Sequence, residues 1–114
     1  MKLQTIVDKI GLKLLCCEKK LEQEITGGYA SDLLSNVIAR SKKGDVWITM
    51  MSHANIIALA VLKDLGGITI TEGREPDPET IKKAAEEQVP LMLTTLSTFQ
   101  VVGKLYEMGI HPGS

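Results

Sequence analysis

The chain has 114 residues, 44% hydrophobic and 24% charged, and its 13 basic and 14 acidic side chains leave a net charge of −1. This size and balance fit one soluble domain with its own core and exclude a disordered segment, as does a mean hydropathy of +0.08. An isoelectric point near 6.1, with one Trp, one Phe and two Tyr, excludes the basic face and stacking platforms expected of a nucleic-acid binder.

Ile6, Val7 and Ile10 fall at helical spacing, which predicts a short helix over residues 5–10 ended by Gly11. Lys9 and Lys13 interrupt any signal-peptide run and no small-residue cleavage site follows, so the expectation is a cytoplasmic protein. Residues 12–17 read as a buried strand. It carries Cys16 and Cys17, which as neighbours do not bridge easily, lack the C-x-x-C spacing of a redox pair, and read as small apolar fillers. The polar segment 18–24, part of it a short edge strand, leads to Gly27 and Gly28. Residues 31–40 follow as a helix with Leu33, Leu34, Val37 and Ile38 on one face, and Gly44 stops it.

Residues 45–50 form an apolar, β-branched strand, and residues 55–65 a second helix closed by Gly66 and Gly67. Its stretch 56–62 is the longest apolar run, far too short to cross a bilayer, so no membrane partner is expected. That helix is apolar almost all round, so its outer side wants a cover: neighbouring helices or a second subunit. Residues 68–71 are another strand. Asp77 and Pro78 offer an N-cap and first turn for a helix whose apolar face is Ile81, Ala84 and Ala85. Residues 91–94 are a strand, and Ser97 caps a last helix bearing Phe99, Val102, Leu105 and Tyr106, ended by Gly109. The tail, residues 111–114, reads as frayed beyond a single domain of residues 1–110. Strand and helix alternate with short connections, which predicts an α/β fold. The architecture expected is a three-layer sandwich with a mainly parallel, Rossmann-like sheet, in which segments 45–50, 67–71 and 90–94 run parallel.

In such sheets ligands gather where strand ends lead into helix N-termini. The candidate ligand-binding residues are therefore Gly27, Gly28, Ser52, His53, Asn55, Gly73 and Arg74, with free backbone N–H groups facing one crevice. Gly27 and Gly28 read either as an anion cradle or as a turn needing positive φ. His53 suits a polar contact or a cap; it has no Cys or acidic neighbour at metal-ligand spacing, so no metal is expected. Arg74 would grip a carboxylate or phosphate, or pair with Glu72, Glu75 or Asp77. Neither the dinucleotide fingerprint nor the phosphate-loop motif is present, and no nucleophile–base order stands out. No cofactor and no catalytic residue are expected.

The stretches GGYASDLLSNVIARSKKGDVWIT, HANIIALAVLKDL and ITEGREPDPETIKKAAEEQVPL together resemble the DRTGG domain family, especially its short stand-alone members. The likeness runs from around Lys20 to Met108. This chain departs from the residues that name the family. If the Asp-Arg pair follows the Trp47 strand, Ser52 and His53 stand in its place. If the Thr-Gly-Gly follows the next strand, it reads Thr71-Glu72-Gly73, whereas Thr26-Gly27-Gly28 spells the triplet in another context. The resemblance implies a regulatory or assembly module without established activity, similar to the N-terminal domain of HPr kinase/phosphorylase and found beside CBS modules and phosphotransacetylase-type enzymes. The expectation is a non-catalytic homodimer that binds a small anionic metabolite or nucleotide at the strand-end rim. The alternative is a pure interaction module docking on a larger partner enzyme.

Overall fold

Five short strands and five α-helices alternate along the chain in the computed structural model, which describes residues 1–113. In chain order they are α1 (Leu3–Ile10), β1 (Lys13–Leu14), a 3-10 turn (Glu18–Lys20), β2 (Gly27–Ala30), α2 (Leu34–Arg40) and β3 (Asp45–Thr49). Then come α3 (Asn55–Lys63), β4 (Gly67–Ile70), α4 (Pro78–Glu87), β5 (Leu91–Leu93) and α5 (Thr98–Glu107). The sheet order is β1-β5-β4-β3-β2, with only β1 antiparallel. Gly27 pairs with Asp45, Val46 with Gly67, and Ile68 with Leu91. The parallel, helix-covered α/β sandwich predicted from the alternating periodicities is the observed fold.

The strand order decides which helix covers which face. From β2 to β5 each strand lies beside its predecessor and the order never reverses. Right-handed crossovers therefore put α2, α3 and α4 on one face. Trp47, Ile68, Ile70, Leu91 and Leu93 meet that layer through Val37, Ile56, Ile57, Leu59, Ala60 and Ala84. The alternate strand residues Val46, Ile48 and Met92 point the other way, onto Leu3, Ile6 and Ile10 of α1 and Val101 and Leu105 of α5. The two terminal helices thus complete the second layer. No described helix is long and apolar enough to cross a membrane.

Several boundaries differ from the sequence reading. The strand expected over residues 12–17 pairs only at Lys13 and Leu14, because Leu12 turns into the core and Cys17 adopts a left-handed φ of 72°. Residues 18–24 hold the 3-10 turn and a single bridge from Glu24 to Lys2, not an edge strand. Gly27 and Gly28 are neither a turn nor a loop; they begin edge strand β2, with no positive φ. Consequently α2 starts at Leu34, not Ser31.

Helix α3 ends at Lys63 on a left-handed Asp64 (φ 54°), leaving Gly67 to start β4. Asp77 holds the N-cap position of α4 without a side-chain cap bond, whereas Ser97 and Gln100 form a reciprocal capping box on α5. The apolar face read onto α5 holds at Leu105 but fails at Phe99 and Tyr106. Val101 and Leu105 are buried, while Phe99 is 89% and Tyr106 54% exposed. The tail is not frayed through residue 113: the His111 carbonyl accepts from Gly28 N at 3.1 Å, and the Tyr106 and His111 rings lie 4.5 Å apart. Ser114 lies outside the described residues.

Candidate functional site

The carboxyl ends of β2, β3, β4 and β5 share one rim, and each is followed by a loop that opens a helix. Threonines knit these loops together. Thr49 Oγ1 donates to Asp32 Oδ1 at 2.7 Å, and the same carboxylate oxygen accepts from Met50 N at 2.8 Å, latching the β2–α2 loop to the end of β3. Thr71 N donates to the Thr49 carbonyl at 3.0 Å, and Thr71 Oγ1 meets Thr98 Oγ1 at 2.7 Å. The Glu72 carboxylate accepts from Thr98 N in the first turn of α5 at 3.2 Å, a favourable place for an anionic side chain.

Glu72 and Gly73 both have positive φ, 63° and 67°. At Gly73 the conformation, not space, calls for glycine, since an added Cβ would meet only Thr95 Cγ2 at 3.9 Å. The turn is held by Glu72 N to the Leu96 carbonyl, Gly73 N to the Thr94 carbonyl and Arg74 N to the Thr71 carbonyl.

Ser52, His53, Asn55, Gly73 and Arg74 come together at this rim. The Ser52 carbonyl accepts from Asp77 N at 3.1 Å and Thr80 Oγ1 at 2.7 Å, which ties the β3–α3 loop to the β4–α4 loop. His53 Nδ1 accepts from Asn55 N at 3.3 Å, so the neutral ring carries its proton on Nε2 as an outward donor. His53, Asn55, Gly73 and Arg74 are exposed. The ion pairs among the described residues join the N-terminal amine to Glu24, Lys2 to Glu22 and Lys43 to Asp64. Arg74 is in none of them, despite the acidic side chains around it.

Gly27 and Gly28 do not join this group. Gly27 is level with Asp45, the first residue of β3, so the pair lies toward the amino edge of the sheet. A Cβ on Gly27 would sit 2.7 Å from both Asp45 Oδ1 and Gly113 N, so glycine is needed there for close approach. Gly28 lines an apolar hollow of about 180 Å³ with Ala30, Ile48, Val102, Tyr106 and Ile110.

Most of the expected crevice of free N–H groups is closed, although the Ser52 and His53 amides donate to no acceptor among the described residues. The amides of Asn55, Ile56, Glu72, Gly73, Arg74, Leu96, Ser97 and Thr98 all donate within the protein. Two causes are visible: the sheet has no reversal of strand order, where such a crevice forms, and the strand-end threonines close the loops on one another. A ligand at the rim would meet mostly side chains, with the Ser52 and His53 amides the backbone donors left to it. Sequence reasoning placed Thr71 and Glu72 at the strand end but missed Asp32, Thr49 and Thr98; the recurrence of Thr at strand ends was the available signal. No group of three or more His, Cys, Asp or Glu among the described residues is placed to hold a metal.

Residues 5–108 match the DRTGG domain family. The chain belongs to that family. Within this DRTGG domain, Ser52 and His53 follow β3 and Thr71-Glu72-Gly73 follows β4, while Thr26-Gly27-Gly28 enters β2 at the other edge. Among solved structures the domain is similar to the CBS and DRTGG domains of the regulatory region of Clostridium perfringens pyrophosphatase, crystallised with the activator diadenosine tetraphosphate. The match has a TM-score of 0.68 at 16% identity and covers 90% of this chain but 44% of that one, a likeness of fold. No curated protein matches the sequence.

Proposed function

We propose that this DRTGG domain is a non-catalytic regulatory or assembly module that holds a small anionic ligand at the strand-end rim. The observation that carries this reading is Arg74: exposed, unpaired among the described residues, and following a left-handed turn in a loop tied to the Ser52 carbonyl. A guanidinium left free among Glu72, Glu75 and Asp77 is available to a carboxylate or phosphate, which it grips bidentately. His53 Nε2, the Ser52 hydroxyl and the Asn55 amide add donors, and Gly73 lets a ligand approach the backbone. The family membership, and the presence of a similar domain in a pyrophosphatase's regulatory region, support a regulatory rather than catalytic role. A compact phosphorylated metabolite or nucleotide suits the rim better than a polyanion, given the net charge of −1.

The test is a thermal-shift screen of nucleotides and phosphorylated metabolites, since a ligand favouring the native state raises Tm by mass action. For a hit, Arg74→Ala is expected to weaken binding by about 1.5–3 kcal/mol, the range for a hydrogen bond to a charged group. Wild-type affinity in that variant overturns the rim reading.

A second reading, docking onto a second copy or a larger enzyme, rests on the outer surface of α3. Ile56, Ile57, Leu59 and Ala60 are taken up by the domain's own core. Ala58, Val61 and Leu62 remain exposed, Leu62 by 70%, and Leu33 and Ile38 of the neighbouring α2 segment are exposed too. Burying such side chains is the ordinary driving force of a symmetric dimer.

A further inference from the structure

Cys16 and Cys17 take no part in the rim, and their geometry is unusual for consecutive residues. In extended backbone, neighbouring side chains point to opposite sides. Cys17 instead adopts a left-handed conformation that a residue with a Cβ rarely takes. That conformation accompanies two sulfurs turned to the same place, with Sγ atoms 3.0 Å apart. Cys16 Sγ donates to the Val89 carbonyl at 3.4 Å and Cys17 Sγ to the Ala84 carbonyl at 3.5 Å, so both thiols face the end of α4. Both residues are buried, yet an open groove of about 500 Å³ lined by Leu15, Glu18, Lys19, Ala85 and Gln88 reaches them.

We propose that Cys16 and Cys17 form a two-sulfur site for a monosubstituted trivalent arsenical, R–As(OH)2. Each thiol forms an S–As bond as one As–O bond breaks, and the thiol proton leaves with the hydroxide as water. Two waters are released, and neither arsenic nor sulfur changes oxidation state.

Three features favour this chemistry over its competitors. A structural zinc site needs four donors, and no third His, Cys, Asp or Glu among the described residues is placed to help. Burial, reinforced by the hydrogen bond with Cys16, pushes the Cys17 thiol up to about 12. Condensation with As–OH consumes neutral thiols, whereas disulfide exchange runs through the thiolate. A disulfide would also have to join adjacent Cα atoms about 3.8 Å apart, below the usual span of about 4.4–6.8 Å. A single atom bridging two sulfurs already in contact meets neither obstacle. The adduct would strip the S–H donors from Ala84 and Val89, at the junction of α4 and β5.

Phenylarsine oxide, which hydrates to the dihydroxy form, is the probe. Intact-mass measurement on the native chain should find one phenylarsenic unit per chain with the loss of two hydrogens. A dithiol should reverse the adduct and an equivalent monothiol should not. Cys16→Ser and Cys17→Ser should each lower apparent affinity by at least about a hundredfold, because the second attachment is no longer intramolecular. An adduct that forms only after unfolding in denaturant, or that a monothiol removes as readily as a dithiol, overturns the proposal. So do single variants that bind as tightly as wild type, or a reductant-free chain already lighter by two hydrogens. Should a serine variant fail to fold, the contrast between dithiol and monothiol on the wild-type chain decides alone.

Discussion

Among the described residues two buried polar atoms lack a hydrogen-bond partner, Asp45 Oδ1 and Thr69 Oγ1, and each makes a residue-scale prediction. Desolvation raises the Asp45 carboxyl above the ordinary carboxylate value, against the opposing pull of the Lys42 amide and the Lys42 and Lys63 charges. A carboxyl whose native pKa is raised binds its proton more tightly folded than unfolded. Its contribution is complete below the unfolded value, about 3.9, and is lost as pH rises through the folded value. The stability of wild type relative to Asp45→Asn should therefore grow as pH falls from neutral to about 4 and then level off. Denaturant titrations of both proteins across that range check the sign. Thr69 stands on a central strand with its hydroxyl facing the α1–α5 layer. Thr69→Val should stabilise the domain by about 1 kcal/mol, since it removes a buried group that recovers no hydrogen bond. Urea unfolding giving a destabilised variant would show that the hydroxyl finds a partner.

At the scale of elements, similar sequence signals lead to different structures at two helix starts. Ser97 makes its cap bond to Gln100 N at 3.1 Å, and Gln100 Oε1 returns one from Ser97 N at 2.9 Å. Asp77 makes none; its amide is taken by Ser52 instead. Ser97→Ala should accordingly cost about 1 kcal/mol, while Asp77→Ala stays within about 0.5 kcal/mol. Chemical denaturation of the two variants side by side tests the contrast. The α5 face shows why periodicity alone misassigned burial at Phe99 and Tyr106. Phe99, Val102 and Tyr106 share one apolar stripe, and Val101 and Leu105 share the next. Which stripe meets the sheet depends on where Ile48 and Met92 lie, and helical spacing does not contain that information.

At the scale of the whole molecule, an apolar surface on α3 and the α2 segment, with Leu33, Ile38, Val61 and Leu62, lies outside the domain's own core. If a second copy covers it, sedimentation at tens of micromolar, about the range where a weak dimer persists, should find a dimer. Leu62→Glu should then yield a folded monomer. A wild-type chain that stays monomeric there would favour docking on a different partner. The rim is also a whole-molecule property, since its loops come from segments spread between Ser31 and Ser97 and meet only because β2 to β5 run parallel.

The sequence by itself determined the fold class. Switches from β-branched runs to helical spacing, with Gly11 and Ser97 marking ends, are local preferences that need no partner to be read. Local reading also brought Ser52, His53, Asn55, Gly73 and Arg74 to one edge, because each follows a strand of the same direction. Tertiary structure decided the rest. Gly27 and Gly28 look like a turn in isolation and become strand only because β3 offers them a ladder. Most of the amides read as free are bonded because two loops distant in sequence meet, Glu72 N reaching Leu96, Gly73 N reaching Thr94 and Thr98 N reaching Glu72. Long-range hydrogen bonds and the absence of a strand-order reversal are properties of assembled layers, and no window of residues carries them.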